Sequence, residues 1–540
     1  MNAPSAARSL RGLALFLAFA SPTLAGAATV AENIYRNGLL ASGAPLVAER
    51  GGVRVSGPTA ACVNCHRRSG LGMNEGRTSI PPIAGSYLFH PRAGTAEAPD
   101  LPFVEGMRGD RDPYTDATLA RAIREGIGAA GQPLNVLMPH YELDDAAMAE
   151  LISYLKKLSP GAVPGVTETV LHFATIITPD ADPVRRQGVL DVLEHFFADK
   201  NHYTRAQAPR VSSSRRMMFK VNRRWELHVW ELSGAPETWG AQLHAKLAAE
   251  PVFAVISGVG GKTWAPVQRF CEEAALPCLF PNVDLPVVAE NDFYSLYFSK
   301  GVLLEAALIA HELEAGRATG QLRRVVQVFR AADVGEDAAG ALGAALPRDV
   351  KVIDRSLPAG AGARELAAAV SKTEAGDALV LWLRRDDIAA LGTPPAKVAT
   401  VFMSGRMAGL EAAPLPAAWR SLTHLTYPVD LPDRRRVRVD FPMGWFRIRQ
   451  IPVVALEAQV DTDVACGILS DTINHLVDAF VRDYLVERIE AMLGHRVMNG
   501  YYPRLALAPG QRFASKGGYV THFAAPTGTQ VIADGDWIVP

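Results

Sequence analysis

The sequence has little charge of either sign in excess, only five cysteines in 540 residues, and no long apolar run beyond its first thirty positions. Each shortage excludes something. A bilayer span needs about 20 apolar residues. The nearest later stretch, 303–310, is interrupted by Glu305 and closed by His311 and Glu312, so no membrane span is expected in the mature chain. Lys and Arg number 55 against 56 Asp and Glu, a formal net charge of -1 that offers nucleic acid or an anionic membrane no bulk attraction. Five cysteines are too few for a disulfide scaffold, and no second closely spaced pair completes a zinc site. What remains is ordinary globular composition, 49% hydrophobic and 21% charged, in a chain too long for one core.

The amino terminus reads as a targeting segment. Arg8 and Arg11 precede a short apolar run at 13–20, and Ala25-Gly26-Ala27 supplies the small residues that signal peptidase requires. Residues 1–27 are therefore expected to be a cleaved signal peptide, and the mature protein to be periplasmic, where disulfides form. Cys271 falls late in a predicted helix at 264–274, and Cys278 opens the following strand after Pro277. A helix end folding back on its strand brings such positions within bridging range, so Cys271 and Cys278 are predicted to pair. Cys466 is left over and is expected to be buried.

Cys62-Val63-Asn64-Cys65-His66 is C-x-x-C-H, the haem c attachment signature. Two thiols three positions apart on one helical turn can each add to a vinyl group of one porphyrin, and the next histidine is carried under the iron. One covalent haem c is thus expected, held by Cys62 and Cys65, with His66 as an axial ligand. For the opposite ligand the downstream candidates are Met73, Met107, Met138, His90 and His140. Met73 lies too close to His66 for the chain to turn round the haem edge. Met138 precedes Pro139 and a helix that Asp144 can cap, whose residues Met148, Leu151, Ile152, Leu155 and Leu158 share one face.

With an earlier helix at 31–39, the motif, Pro81-Pro82-Ile83-Ala84-Gly85, and the Met-Pro element, residues 28–160 resemble a class I cytochrome c domain, all-α in fold. The resemblance implies Met138 as distal iron ligand and the Pro82 carbonyl as partner of the histidine's other nitrogen. Thioether ligation opposite histidine raises the potential and fills the coordination sphere, which suits single-electron transfer. The implied partners are redox proteins, a periplasmic dehydrogenase or a downstream cytochrome or oxidase, with an association to quinoprotein alcohol oxidation. No catalytic constellation is found; an electron carrier or binding protein is expected, with no nucleic-acid partner.

A turn-rich linker at 161–166 leads into residues 167–540, where short apolar strands alternate with amphipathic helices. Strands are predicted at 171–178, 226–232, 254–259, 324–329, 351–357, 378–383 and 398–403, with helices between them, in two similar sheets. The segments Phe253-Ala254-Val255-Ile256-Ser257-Gly258, Ala275-Leu276-Pro277-Cys278-Leu279-Phe280-Pro281 and Tyr294-Ser295-Leu296-Tyr297-Phe298-Ser299 resemble the type I periplasmic binding-protein fold, that of branched-chain amino-acid and amide receptors. The resemblance implies two α/β lobes closing on a cleft. Ser257, Gly258 and Asn282 at strand ends, with Tyr297 near the first crossover, are the expected lining. Charged ligand clamps are not identifiable, so a small neutral or aromatic ligand is expected. An alternative is a solute receptor in which the haem is a redox-sensing module. Gly260-Gly261-Lys262-Thr263 is read as a plain strand-to-helix turn, because a phosphate loop would need glycine at 256, where Ile256 stands. Trp225, Trp230, Trp239 and Trp264 are read as core.

Overall fold

The computed structural model describes residues 29–76, 78–89, 112–158, 163–206, 223–289, 291–318, 324–398, 400–476 and 479–540. The expected signal peptide, His90, Met107 and the first two linker positions lie outside them.

In the N-terminal unit, helix α1 (Val30–Asn37) starts where Thr29 accepts the Glu32 N–H and stops at Gly38, whose φ of 64° suits only a residue without Cβ. It buries Ala31, Ile34 and Tyr35. Helix α5 (Asp145–Lys157) is capped by Asp144, which accepts the Ala147 N–H, and buries the expected Met148, Leu151, Ile152 and Leu155. The two helices meet through the Tyr35 and Tyr154 rings, 5.3 Å apart. Between them lie α2 (Val63–His66), α3 (Gly85–Leu88) and α4 (Asp116–Glu125).

The all-α expectation needs correction. Strand β1 (Val47–Arg50) pairs antiparallel with β2 (Val53–Ser56) and with β5 (His140–Tyr141), and β3 (Met73–Glu75) pairs with β4 (Thr78–Ile80). The reason is local: Gly51 and Gly52, at φ 56° and 81°, form a two-residue turn that folds the flanking strands together.

The rest of the chain builds two sheets of the same design. In the first lobe, β6 (Val170–Ile177), β7 (Arg224–Glu231), β8 (Ala254–Ile256), β10 (Cys278–Leu279) and β12 (Ser295–Leu296) are all parallel, in spatial order β7-β6-β8-β10-β12. In the second, β13 (Arg324–Arg330), β14 (Lys351–Leu357), β15 (Asp377–Trp382), β16 (Thr400–Ser404) and β17 (Thr423–Tyr427) lie in order β14-β13-β15-β16-β17. Counted within each lobe, both orders are 2-1-3-4-5, the doubly wound order with its switch point beside the first strand. Every residue of β15 is buried, the continuous apolar run expected of a central parallel strand. The predicted strand at 254–259 is broken at Ser257, where φ turns to 50°, and resumes as β9 (Val259–Gly260), with β11 (Asn282–Val283) beside it.

Helices α6 (Pro183–Ala206), α7 (Trp239–Ala249) and α8 (Ala265–Glu273) serve the first lobe. Helix α9 (Val302–Ala318) carries the chain into the second lobe, which adds α10 (Val334–Ala345), α11 (Ala363–Ser371), α12 (Arg385–Ala389), α13 (Gly405–Ala408) and α14 (Ala417–Arg420). The chain then returns through α15 (Pro432–Arg449), α16 (Leu456–Leu476) and α17 (Arg482–Leu493), and crosses once more to β18 (Tyr519–Phe523) and β19 (Val531–Ala533), antiparallel at the edge of the second sheet. The basic segment at 433–436 opens α15: Arg435 is buried, paired with Glu411 at 2.6 Å. Trp225, Trp230, Trp239 and Trp264 are all buried in core. Cys271 at the end of α8 is bonded to Cys278 of β10, and Cys466 is free and buried.

Among the described residues, no helix is long and apolar enough to cross a membrane.

Candidate functional site

Two places in the molecule assemble chemistry. At the first, Cys62 caps α2 and Cys65 lies within it, neither in a disulfide, and His66 ends the helix, buried. The His66 Nδ1 lies 2.9 Å from the Pro81 carbonyl oxygen. A carbonyl can only accept, so Nδ1 carries the proton and Nε2 keeps a free lone pair. Burial pushes the imidazole pKa down to about 4, against the opposing Pro81 contact, so the ring is neutral. The partner is thus Pro81, and the expected Pro82 is corrected by one residue. The hairpin β3–β4 ends at Ile80, which turns the Pro81 carbonyl to the ring while Pro82 is buried as packing. Gly72 permits this approach: a Cβ there would stand 2.1 Å from the Ile80 oxygen. Met138 packs against the apolar cluster of α1 and α5 that Cys62 and Val63 also join.

The residues after His66 are not solvated. Arg67 pairs with Glu490 of α17, Ser69 donates through N–H and Oγ–H to Glu487 at 2.9 and 2.6 Å, and Arg68 lies 3.7 Å from Asp483. Arg68 also stacks over Phe293, 4.5 Å from its centroid. Glu490 bridges on to Arg512 of the first lobe. Leu71, Ala84 and Tyr87 belong to one buried cluster with Tyr484, Leu485 and Val486. The N-terminal unit is therefore fastened to the first lobe through the very turn that carries His66.

The second place is a cavity of about 290 Å³ between the lobes, at strand carboxyl ends. The first lobe contributes Arg185, Asn282, Asp284, Glu457 and Asp461; the second contributes Arg384 and Arg406. Charge closes it. Asp284 takes Arg185 at 2.7 Å and, across the cleft, Arg384 at 2.9 Å, while Arg406 reaches Glu457 at 2.7 Å. Burial would raise the Asp284 pKa, but the two guanidinium groups hold it below the usual carboxylate value. Glu305, fully buried, accepts the Arg406 N–H at 3.0 Å and the Ser404 hydroxyl at 2.6 Å, and so fixes the turn that presents Arg406. Arg406 Nη1 and Asp461 Oδ1 are buried without a hydrogen-bond partner among the described residues. Burial, with Glu457 adding, raises the Asp461 pKa to about 8.

Of the expected lining, only Asn282 faces this cavity. Ser257 is fully buried behind it, where the Asn282 amide donates to the Ser257 Oγ at 3.4 Å and the Thr462 Oγ1 at 3.2 Å. Gly258 packs under Trp264, whose ring a Cβ would meet at 2.6 Å. Tyr297 is buried on the other side of its strand, stacked on Phe513 with its hydroxyl on Gln268. For Ser257 and Gly258 the cause is the kink at Ser257, where φ is 50°, so these residues turn inward. Nor is the lining neutral, since guanidinium and carboxylate groups dominate it. No spacing in the sequence ties these charges together. A better signal was the i,i+4 pair Glu457 and Asp461, which share one face of α16. The loop at 260–263 has no anion site: the Gly261 and Thr263 N–H groups both donate to the Asp180 carboxylate, at 3.2 and 3.0 Å.

No known family profile matches the chain, and no curated protein does. Among solved structures it is similar to a fatty acid ABC transporter substrate-binding protein from Thermomonospora curvata, at 11% identity and TM-score 0.49, over 70% of this chain and 94% of that one. It is also similar to a possible leucine/isoleucine/valine-binding protein from Rhodopirellula baltica SH 1, at 14% identity and TM-score 0.48, over 68% and 97%. A leucine binding protein from Thermotoga maritima MSB8 gives 14% and 0.45, over 68% and 99%.

Proposed function

We propose that the chain is an exported small-molecule receptor of the two-lobed kind that carries one covalent haem c as a redox module. The observation that supports the receptor reading is the inter-lobe cavity, in which Arg406 Nη1 and Asp461 Oδ1 are buried and unpartnered. A buried polar atom left unpaired costs about 1–3 kcal/mol, so a ligand that satisfies both is stabilising. Such a ligand is small and polar, with an acceptor or anionic group for Arg406 and a donor for Asp461. Calorimetric titration of the holo-protein with small carboxylic acids, amino acids, amides and alcohols tests this against Arg406→Met. If no compound binds wild type, or if binding ignores the substitution, the receptor reading fails.

The residues present fit a haem: two thiols on one turn outside any disulfide, a neutral buried histidine whose Nδ1 is turned to the Pro81 carbonyl, leaving Nε2 as the lone-pair nitrogen, and a methionine on the same apolar cluster. Cys62 and Cys65 would attach it, and His66 and Met138 would ligate its iron. Bound there, it supplies one-electron chemistry.

That fit supports a second reading, a single-electron carrier whose two-lobed part docks a dehydrogenase or a downstream cytochrome. Rates of reduction by such donors, with and without a bound ligand, separate the readings. A ligand-independent rate favours the carrier, and a ligand-dependent rate or potential favours the receptor.

A further inference from the structure

On the far end of the first lobe's sheet, away from the cleft, alternation along β6 and β7 places His172, Ala174 and Ile176 on one face beside Glu226, His228 and Trp230. Toward the carboxyl ends this face is apolar and covered by α7. Toward the amino ends it opens, and there it reads His, Glu, His. Parallel register sets His172 directly against Glu226, and His228 two residues on. The His172 Nδ1 and His228 Nε2 lie 3.1 Å apart, and the Glu226 carboxylate is 3.8 Å from the first and 3.9 Å from the second.

We infer that His172, His228 and Glu226 form a binding site for a divalent transition metal, Zn²⁺ being the natural probe. A tetrahedral ion with ligands at about 2.0–2.1 Å holds its donor atoms about 3.4 Å apart, close to the separations found. Two imidazoles with one carboxylate select zinc, copper or nickel over calcium and magnesium, which prefer oxygen.

The surroundings support a ligand role. The other nitrogen of His228 faces the Glu250 carboxylate at 3.3 Å, and Glu250 is itself held by the Trp230 indole N–H at 2.9 Å. A carboxylate behind a ligating histidine is how protein metal sites fix the ring and its tautomer, with Nε2 presented as the lone pair. The Glu226 side chain is 56% exposed, so an ion reaches the site from solvent without opening the lobe. Bound metal would clip the outermost strand β7 to β6. The cluster is built from strands rather than loops, so its geometry is set before the ion arrives.

Equilibrium dialysis of the haem-loaded protein against chelator-buffered Zn²⁺, with zinc and iron both counted by mass spectrometry, tests the site. Iron content reports haem loading and so excludes zinc held by Cys62 and Cys65. Wild type is expected to retain about one zinc per chain at submicromolar free metal. His172→Ala and Glu226→Gln should weaken retention at least about 100-fold, and Glu250→Gln about 10-fold. His244→Ala, elsewhere on the surface, should change nothing. Should wild type retain no zinc, or should His172→Ala retain as much as wild type, the rings are only hydrogen-bonded to one another. Thermal melts without metal check that each variant is folded, and His172→Gln replaces any that is not.

Discussion

Glu487 shows how much one side chain can link. It is buried, it holds the turn after His66 through Ser69, and it lies in α17 beside Asp483. Burial pushes its carboxyl from the ordinary 4.5 up to about 7, with the Ser69 hydrogen bonds and the Arg67 charge opposing and Asp483 adding. A carboxyl raised in the folded state favours folding when protonated. Its contribution is fully present below about pH 4.5 and is lost as pH rises through about 7, up to about 3 kcal/mol for such a shift. Urea midpoints between pH 4 and 8 should fall across that window in wild type, and Glu487→Gln should flatten the fall; a slope that survives the substitution assigns it elsewhere. Met138 is a single-residue question too. Under the proposed ligation, ferric haem shows a weak red charge-transfer band, which Met138→Ala should abolish while leaving any covalent attachment in place. Cys62→Ala should impair the attachment itself.

At the element scale, α17 joins the N-terminal unit to the first lobe, and the α8–β10 corner is closed by a disulfide within that lobe. Helix α17 offers Asp483, Glu487 and Glu490 at helical spacing to Arg68, Ser69 and Arg67, and Glu490 also binds Arg512. Removing one partner of a buried ion pair strands the other. Glu490→Ala is therefore expected to cost about 3 kcal/mol and to speed amide exchange around residues 67–72, measured by mass spectrometry. Unchanged exchange would mean the apolar cluster alone carries the joint. At the corner, the Cys271–Cys278 bond spans only seven positions. Closing so short a loop stabilises by about 2 kcal/mol in the chain-entropy account, so the Cys271→Ala, Cys278→Ala pair should lower the urea midpoint accordingly. Peptide mapping without reduction should recover the bridged peptide from wild type.

Over the whole molecule, the lobes share the buried cluster that joins Leu410 and Tyr427 to Val460 and Val464, and across the cleft they meet through charge. Lys262 of the first lobe meets Asp337 of the second at 2.7 Å, beside the Asp284–Arg384 and Arg406–Glu457 pairs. Partly exposed pairs are weak and are screened by salt. The closed form should therefore yield to ionic strength: small-angle scattering at high salt, or of Lys262→Ala with Arg384→Ala, should show a larger radius of gyration. A radius that ignores both would place the closure in the hinge segments instead. Helix α16 lines the cleft and packs with α17 in one core, so one pair of helices runs from the cleft to the turn after His66.

The features legible in the sequence were those whose evidence is local. C-x-x-C-H needs one helical turn, the cap at Asp144 needs three residues, and the buried strand β15 reads directly as an apolar run. The doubled lobe pattern followed from the alternation of such segments. What tertiary structure alone decided depends on register and on distance along the chain. A one-residue difference in where the β3–β4 hairpin ends gave the histidine to Pro81 and not Pro82. The φ of 50° at Ser257 moved Ser257 and Gly258 from a lining into packing. The cleft draws Arg185, Asp284, Arg384, Arg406 and Asp461 from five separate stretches of the chain, and His172 meets His228 only because two parallel strands share a register. Charges that far apart in sequence have no common period, and the fold is what brings them together.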